Sequence, residues 1–425
     1  MLLSYNFFDD FIELLIKNKY KQNNDTVDTS IIHKIISRLF LEMEETIVYV
    51  ESIFLKTDII FREKTKKDRR MIYRFLRENH YLNHDIRTFI NNEKFYIIEY
   101  HYKNYHFTFI DYNKDLSNLH HSDNNINTLI ENMDIYAERF KQLLTITIFL
   151  EKYKRESCRV KQLSTYIFLT PFNKLLPPND QSIISGENIN SGYTVPCSTE
   201  TEIFIWRREE YFKVYIHELM HAMGIDFATM NSNRLKHYMS SLFPTINGEF
   251  NMFESYADIW ALILNNMFFV ITNLESNVES KRMELFMNLY EIDKLWTIFQ
   301  STKVLKNYKI NSYSELFGQN YSNDHSHNIR VREKTNAFAY FIGKTILMIS
   351  LEDFLEFCDK KNIITFSPSN LDNKFFDFIK SHSHNKELLH LYEFFYKLLN
   401  NKHKYKHKDK NDIMNSMRWS CLEWI

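Results

Sequence analysis

Arg208-Glu209-Glu210-Tyr211-Phe212-Lys213-Val214-Tyr215-Ile216-His217-Glu218-Leu219-Met220-His221-Ala222-Met223-Gly224 is the stretch on which the reading of this chain turns. Its core, His217-Glu218-Leu219-Met220-His221, carries chemistry only as a helix. Residues four apart then project from one face, one turn apart, so both imidazoles can bind a single zinc ion. Glu218 lies beside the pair and can accept a proton from water on the metal. Val214, Tyr215, Leu219 and Met220 supply apolar neighbours, and Gly224 stands where a helix wants a left-handed terminator. A buried helix can also hold two hydrogen-bonded, metal-free histidines. The agreement of a preceding strand, a helical run and a closing glycine favours the metal.

A catalytic zinc needs a third protein ligand and one open position. In the extended pattern H-E-x-x-H-x-x-G-x-x-H the last histidine would fall at Phe227, which cannot ligate, and Asp226 is one residue out of register. A glutamate from a second helix is the alternative. Phe253-Glu254-Ser255-Tyr256-Ala257-Asp258 supplies it, with Glu254 and Asp258 on one helix face. Phe253, Tyr256, Ala257, Ile259 and Trp260 predict a buried helix, in which a carboxylate needs a metal or a cation. A surface glutamate on an amphipathic helix is the bland alternative.

Over Thr201 to Asn265 the chain resembles the gluzincins, the thermolysin-like clan of metallopeptidases with H-E-x-x-H followed by E-x-x-x-D. The resemblance implies His217, His221 and Glu254 as ligands of Zn2+, with Glu218 as general base. It also implies Asp258 as the acceptor behind the first histidine, where a carboxylate on the far imidazole nitrogen fixes the tautomer. Phe253 departs from the family pattern, which often has Asn before the glutamate; metal binding does not depend on that position. The implied activity is peptide-bond hydrolysis on a peptide or protein substrate.

Gluzincins add a Tyr or His that donates to the oxyanion. Candidates are Tyr340, in the apolar run Asn336 to Ile349, and His325 and His327 before it, although a tyrosine in such a run is otherwise a core residue. The competing function is a non-catalytic, zinc-stabilised scaffold or peptide-binding protein, against which Glu218 speaks, because a structural zinc has no use for a base. The chain also resembles motif-bearing proteins of giant DNA viruses. Only 6 Gly and 6 Pro against 36 Phe and 26 Tyr agree with AT-rich coding.

The rest of the sequence sets bounds. With 425 residues, 44% hydrophobic and 25% charged, the chain can build a core. A formal net charge of -1 gives no pull toward nucleic acid or an anionic membrane, so neither is an expected partner. Cys158, Cys197, Cys358 and Cys421 show no paired spacing, which favours a reducing compartment. Met1 to Lys17 lacks a basic n-region and reads as an amphipathic helix. The best membrane candidate, Ile259 to Ile271, is broken by Asn265 and Asn266. A cytoplasmic or virion protein is expected.

The expected fold is α+β and mostly helical. A helical region with a β-hairpin (1–160) precedes a zincin-like core of small sheet, active-site helix and glutamate helix (161–275), and a helical region (276–425) forms the far wall of the cleft. Ile32 to Ile47 is helical after capping residues Asp28 to Ser30, and Phe95 to Tyr102 with Tyr105 to Ile110 forms the hairpin. Leu129 to Leu144 is a second helix. Thr165 to Thr170 and Thr201 to Trp206 are strands, the latter able to pair with substrate or to serve as an ordinary core strand, or both, and the polar run to Gly192 is a loop. The histidines His120, His121, His382 and His384 and the tail Lys402 to Lys410 read as solvated surface.

Overall fold

The computed structural model describes residues 30–113, 126–274, 278–317, 330–358, 362–370, 373–400 and 410–422, together with Phe11 and Leu15. Asp28, Thr29, His120, His121, His325, His327 and residues 402–409 of the basic tail lie outside the described residues. Of the expected N-terminal helix, Phe11 and Leu15 are helical and buried. The protein is α+β, mostly helical, with a small mixed sheet. It divides into two compact units that interleave along the chain. A sheet unit comprises Phe40–Asn173 and Asn190–Ile225, and a helical unit comprises Met1–Leu39, Lys174–Ile189 and Asp226–Ile425. The sequence reading, by contrast, divides the chain into three consecutive regions.

Helix α1 (Ser30–Ile53) leads into the sheet unit. There β1 (Ile60–Arg62), helices α2 (Lys66–Glu78) and α3 (His84–Asn92), and the hairpin β2 (Tyr96–Tyr102) and β3 (Tyr105–Asp111) follow. Each helix starts on a residue chosen by capping chemistry. Thr65 and Asp68 form a reciprocal capping box on α2, and the Asn83 side chain accepts from the Ile86 amide on α3. Helix α4 (Ile126–Glu151) then carries the chain over to β4 (Gln162–Phe168), which pairs with β3 in parallel. A parallel pair needs such a crossover. The strands β5 (Gly192–Thr194) and β6 (Glu200–Ile205) complete the order β1-β2-β3-β4-β6-β5.

Two expectations are corrected here. The hairpin, which the sequence reading places in the region 1–160, is continuous with β4 and β6 in one six-stranded sheet. The strand read as able to receive substrate, Thr201 to Trp206, is internal. β6 pairs with β4 on one side and β5 on the other, so its backbone groups are already taken. On that side the sheet ends in β5, whose first residue, Gly192, closes the stretch that the sequence reads as loop.

Side chains alternate across the sheet. On one face Ile97, Ile110, Phe168 and Phe204 pack against Ile72, Phe75, Ile86 and Ile90 of α2 and α3. On the other, Tyr100 and Phe109 meet Phe140 of α4.

In the helical unit, α6 (Asn233–Leu242), β7 (Ile246–Asn247), α7 (Met252–Asn273) and α8 (Glu279–Asn307) come in sequence. β8 (Val331–Arg332) pairs in parallel with β7 and is followed by a π-helical turn, Ala339–Gly343. Among the described residues α7 is the one helix that is long and apolar enough to cross a membrane. Since 89% of its apolar window is buried, it reads as a core helix.

The segment 416–422 is buried among these helices, and polar side chains receive its backbone. Trp296 Nε1 and Gln300 Nε2 donate to the Arg418 carbonyl, Lys303 Nζ to that of Ser416, and Lys344 Nζ to that of Trp419. Burial pushes the Lys303 ammonium well below its ordinary pKa.

The sheet's aromatic face gives a direct test. Phe75 is 2% exposed, and its ring stacks on Phe168 and Phe204 at 4.8 and 4.9 Å. Phe75→Ala is expected to cost about 3–5 kcal/mol in urea unfolding. Tyr73→Ala on the exposed side of the same helix should stay within about 0.5 kcal/mol.

Candidate metal centre

The histidine helix, α5, spans Tyr211–Ala222, and all twelve of its residues are buried. Within the sheet unit it packs beside β5, β6 and α4. Tyr215 fixes its rotation: the phenol shares a 2.6 Å hydrogen bond with Thr147 of α4 and sits edge-on to Phe107 of β3. Burial pushes that phenol well above its ordinary pKa, opposed by the Thr147 and Thr165 hydroxyls. With Tyr215 held toward α4, positions 217 and 221 turn together toward another side, as the helical period requires.

The two imidazoles meet. His217 Nε2 and His221 Nε2 lie 3.0 Å apart, with the rings nearly perpendicular. Two nitrogens about 2.0–2.1 Å from one ion at the tetrahedral angle would be roughly 3.3 Å apart, so the pair lies somewhat closer than the separation one shared ion would set. Glu218 is 6% exposed and packs against the first residue of β5. A Cβ at Gly192 would stand 2.8 Å from Glu218 Cγ, Glu218 Oε1 and Val214 Cγ1. Only glycine lets the edge strand lie this close to the carboxylate.

The far end of α5 is stapled. Gly224 takes the left-handed conformation at φ +62°, as the sequence predicts. The carbonyl of Ala222 accepts from the Cys197 amide, that of Met223 from the Arg155 amide, and that of Gly224 from Arg155 Nε. Cys158 and Cys197 form a disulfide, which the scattered cysteine spacing had not revealed. A Cβ on Gly224 would fall 2.6 Å from Cys197 Sγ, so this glycine is needed for closeness as well as for φ.

In the helical unit Glu254 lies in the first turn of α7, half-buried. Both of its oxygens accept hydrogen bonds: Oε1 from Asn336 Nδ2 at 2.8 Å, and Oε2 from the Tyr340 hydroxyl at 2.7 Å. Tyr340, the candidate oxyanion donor, therefore stands beside the candidate third ligand. Asp258, one turn on, forms a fully buried ion pair with Lys344 at 2.7 Å. Asn336 had drawn no notice in the sequence except as the start of an apolar run. The surface reading of His382 holds in part, since it is half-buried, stacks on Phe378 and pairs with Asp353.

No family model matches the chain, and no solved structure matches it. It is similar to the uncharacterized protein R210 of Acanthamoeba polyphaga mimivirus, 26% identical over 204 residues, which make up 45% of this chain and 48% of that protein. The chain thus spans about half the length of the curated relative it matches.

The contact at Gly192 yields a stability test. Gly192→Ala forces a methyl into Glu218 and Val214 and is expected to cost about 1–3 kcal/mol in urea unfolding. Thr194→Ala, on the same short strand, loses only the hydroxyl bond to the Glu202 carbonyl, about 0.5–1.5 kcal/mol. Equal small losses would show that the strand does not press on the carboxylate.

Proposed function

We propose that this chain is a zinc-dependent peptidase with a zincin-like core, in which His217, His221 and Glu254 hold the metal and Glu218 is the general base. The observation that carries the reading is the 3.0 Å approach of two Nε2 atoms on a buried helix, with a carboxylate at the intervening position. The donor set of two imidazoles and Glu254 could hold a metal ion, and its chemistry suits zinc. Zinc held there would supply Lewis-acid polarisation of the scissile carbonyl and the attacking water.

The chain's own residues do the rest. Glu218 accepts a proton from the attacking water and hands it to the leaving amine. Asp258, its charge balanced by Lys344, orients a ligand imidazole. Tyr340, expected as the oxyanion donor, gives its one hydroxyl proton to Glu254 Oε2 and so steadies that ligand instead. An extended peptide or protein segment adds to the sheet along the outer edge of β5, where main-chain groups supply affinity without fixing side-chain identity. Gly192 keeps that edge close to Glu218.

Elemental analysis and kinetics test this together. Wild type is expected to carry about one zinc per chain, as a three-ligand site would, and His221→Ala to carry almost none. Glu218→Gln should keep zinc and fold yet lose turnover on a peptide library by about 10²–10⁴-fold. Equal zinc in wild type and His221→Ala would sink the metal assignment. Full zinc with no cleavage by wild type across diverse peptides would instead identify a zinc-stabilised scaffold.

A further inference from the structure

We infer that Asn336 is a positioning residue for the metal, holding the Glu254 carboxylate in one orientation together with Tyr340; the inference rests on the zinc reading above. A free glutamate side chain turns about three bonds and presents either oxygen in many directions. Here each oxygen is assigned its own donor, Asn336 Nδ2 on Oε1 and the Tyr340 hydroxyl on Oε2. A carboxylate held at both ends can ligate only along the directions those donors leave open.

The amide of Asn336 is itself aimed. Its oxygen accepts from Asn251 Nδ2 at 2.6 Å, and Asn251 Nδ2 also donates to Glu249 Oε2 at 2.9 Å. With its oxygen engaged by Asn251, the amide must turn its N–H edge to Glu254. The chain Glu249–Asn251–Asn336–Glu254 thus sets the direction of the last bond. Asn251 is the residue immediately before α7, so the relay begins in the loop that leads into the helix bearing Glu254.

The backbone fixes the distance across which this relay works. β7 and β8 pair at Ile246 with Val331 and at Asn247 with Arg332, which brings the loop before α7 alongside the loop before Asn336. Glu333 ties them further: one carboxylate oxygen accepts from the Glu249 amide at 3.2 Å and the other from the Phe338 amide at 2.6 Å. The Ser255 hydroxyl, next to Glu254, donates to the Ala339 carbonyl within the π-helical turn. That turn begins three residues after Asn336 and contains Tyr340, so both donors reach one carboxylate from a single segment. Such π-turns recur at functional sites.

The test compares wild type, Asn336→Ala, Asn336→Asp and Tyr340→Phe in two measurements: zinc affinity by competition with a chelator, and thermal midpoint of the metal-free protein. Asn336→Asp is the discriminating variant. It keeps the volume and the oxygen that Asn251 needs but replaces the donor to Glu254 with a second carboxylate. Loss of a partner behind a metal ligand costs about 10–100-fold in affinity. Asn336→Ala is expected to fall in that range, Asn336→Asp at least as far, and Tyr340→Phe to weaken binding through the other oxygen. The metal-free thermal midpoints should stay close to that of wild type. Zinc held by Asn336→Asp as tightly as by wild type would overturn the inference while leaving the zinc reading intact. So would a loss of affinity that merely tracks a collapse of the metal-free fold. A wild type that takes up no zinc removes the zinc reading itself, and this inference with it.

Discussion

A helix buried along its whole length must satisfy from within every polar group it carries, and in α5 those groups include Lys213, His217, Glu218 and His221. Each is between 4% and 6% exposed. Burying such groups without partners is costly, so the surroundings of this helix are dictated by what it carries. Apolar rings and one hydroxyl take the sides facing the sheet and α4. The histidines turn to each other, and the edge strand gives up a side chain at Gly192 so that Glu218 can fit. The helix end, where carbonyls lose their intrahelical donors, is closed by Arg155 and the Cys197 amide.

The helical unit answers the same demand with different residues. Lys303 and Lys344 are buried, and each turns its ammonium onto backbone carbonyls of the segment 416–422. Lys344 adds the carboxylate of Asp258. Cys421 donates its amide to Asp293. An extended segment among helices brings unpaired backbone groups into the core, and these side chains stand in for the missing strand neighbour. Lys344 therefore couples the placement of that segment to the face of α7 that carries Glu254 one turn earlier. Glu333 does similar work for the loops around β7 and β8. Burial raises its carboxyl pKa to about 8, opposed by hydrogen bonds from the Phe338 and Glu249 amides.

The parts of the fold that were legible in the sequence are those set by local period. The hairpin at Lys103-Asn104, the long helix α4, the strand at Thr165 and the two motif helices all follow from apolar spacing and terminators a few residues away. Three-residue β5 offers too short a run to show alternation, and it begins at the glycine that closes a polar stretch read as loop. The parallel registers of β3 with β4 and of β4 with β6 join segments far apart in the chain, which no local pattern records. The disulfide joins cysteines 39 residues apart and likewise leaves no trace in spacing. Membership in the two units is non-local in the same sense, since 174–189 leaves the sheet unit and 190–225 returns to it.

The candidate site divides along the same line. His217, Glu218, His221, Glu254 and Asp258 stand out in the sequence because metal chemistry asks for those residue types at helical spacings. Gly192 and Asn336 do not, because neither does chemistry that a spacing rule describes. One acts by having no side chain where a carboxylate must pass, and the other by pointing an amide whose direction another residue fixes. Such requirements are defined by distances across elements: 2.8 Å from an absent Cβ to Glu218, and 2.8 Å from an amide nitrogen to Glu254. They are also what separates a site able to work from a coincidence of residues. A carboxylate and two imidazoles that each swing freely must be ordered before they act together, and that ordering opposes both metal binding and proton transfer. In the proposed site, Gly192 confines Glu218 within the sheet unit, while Asn336 and Tyr340 hold Glu254 within the helical unit.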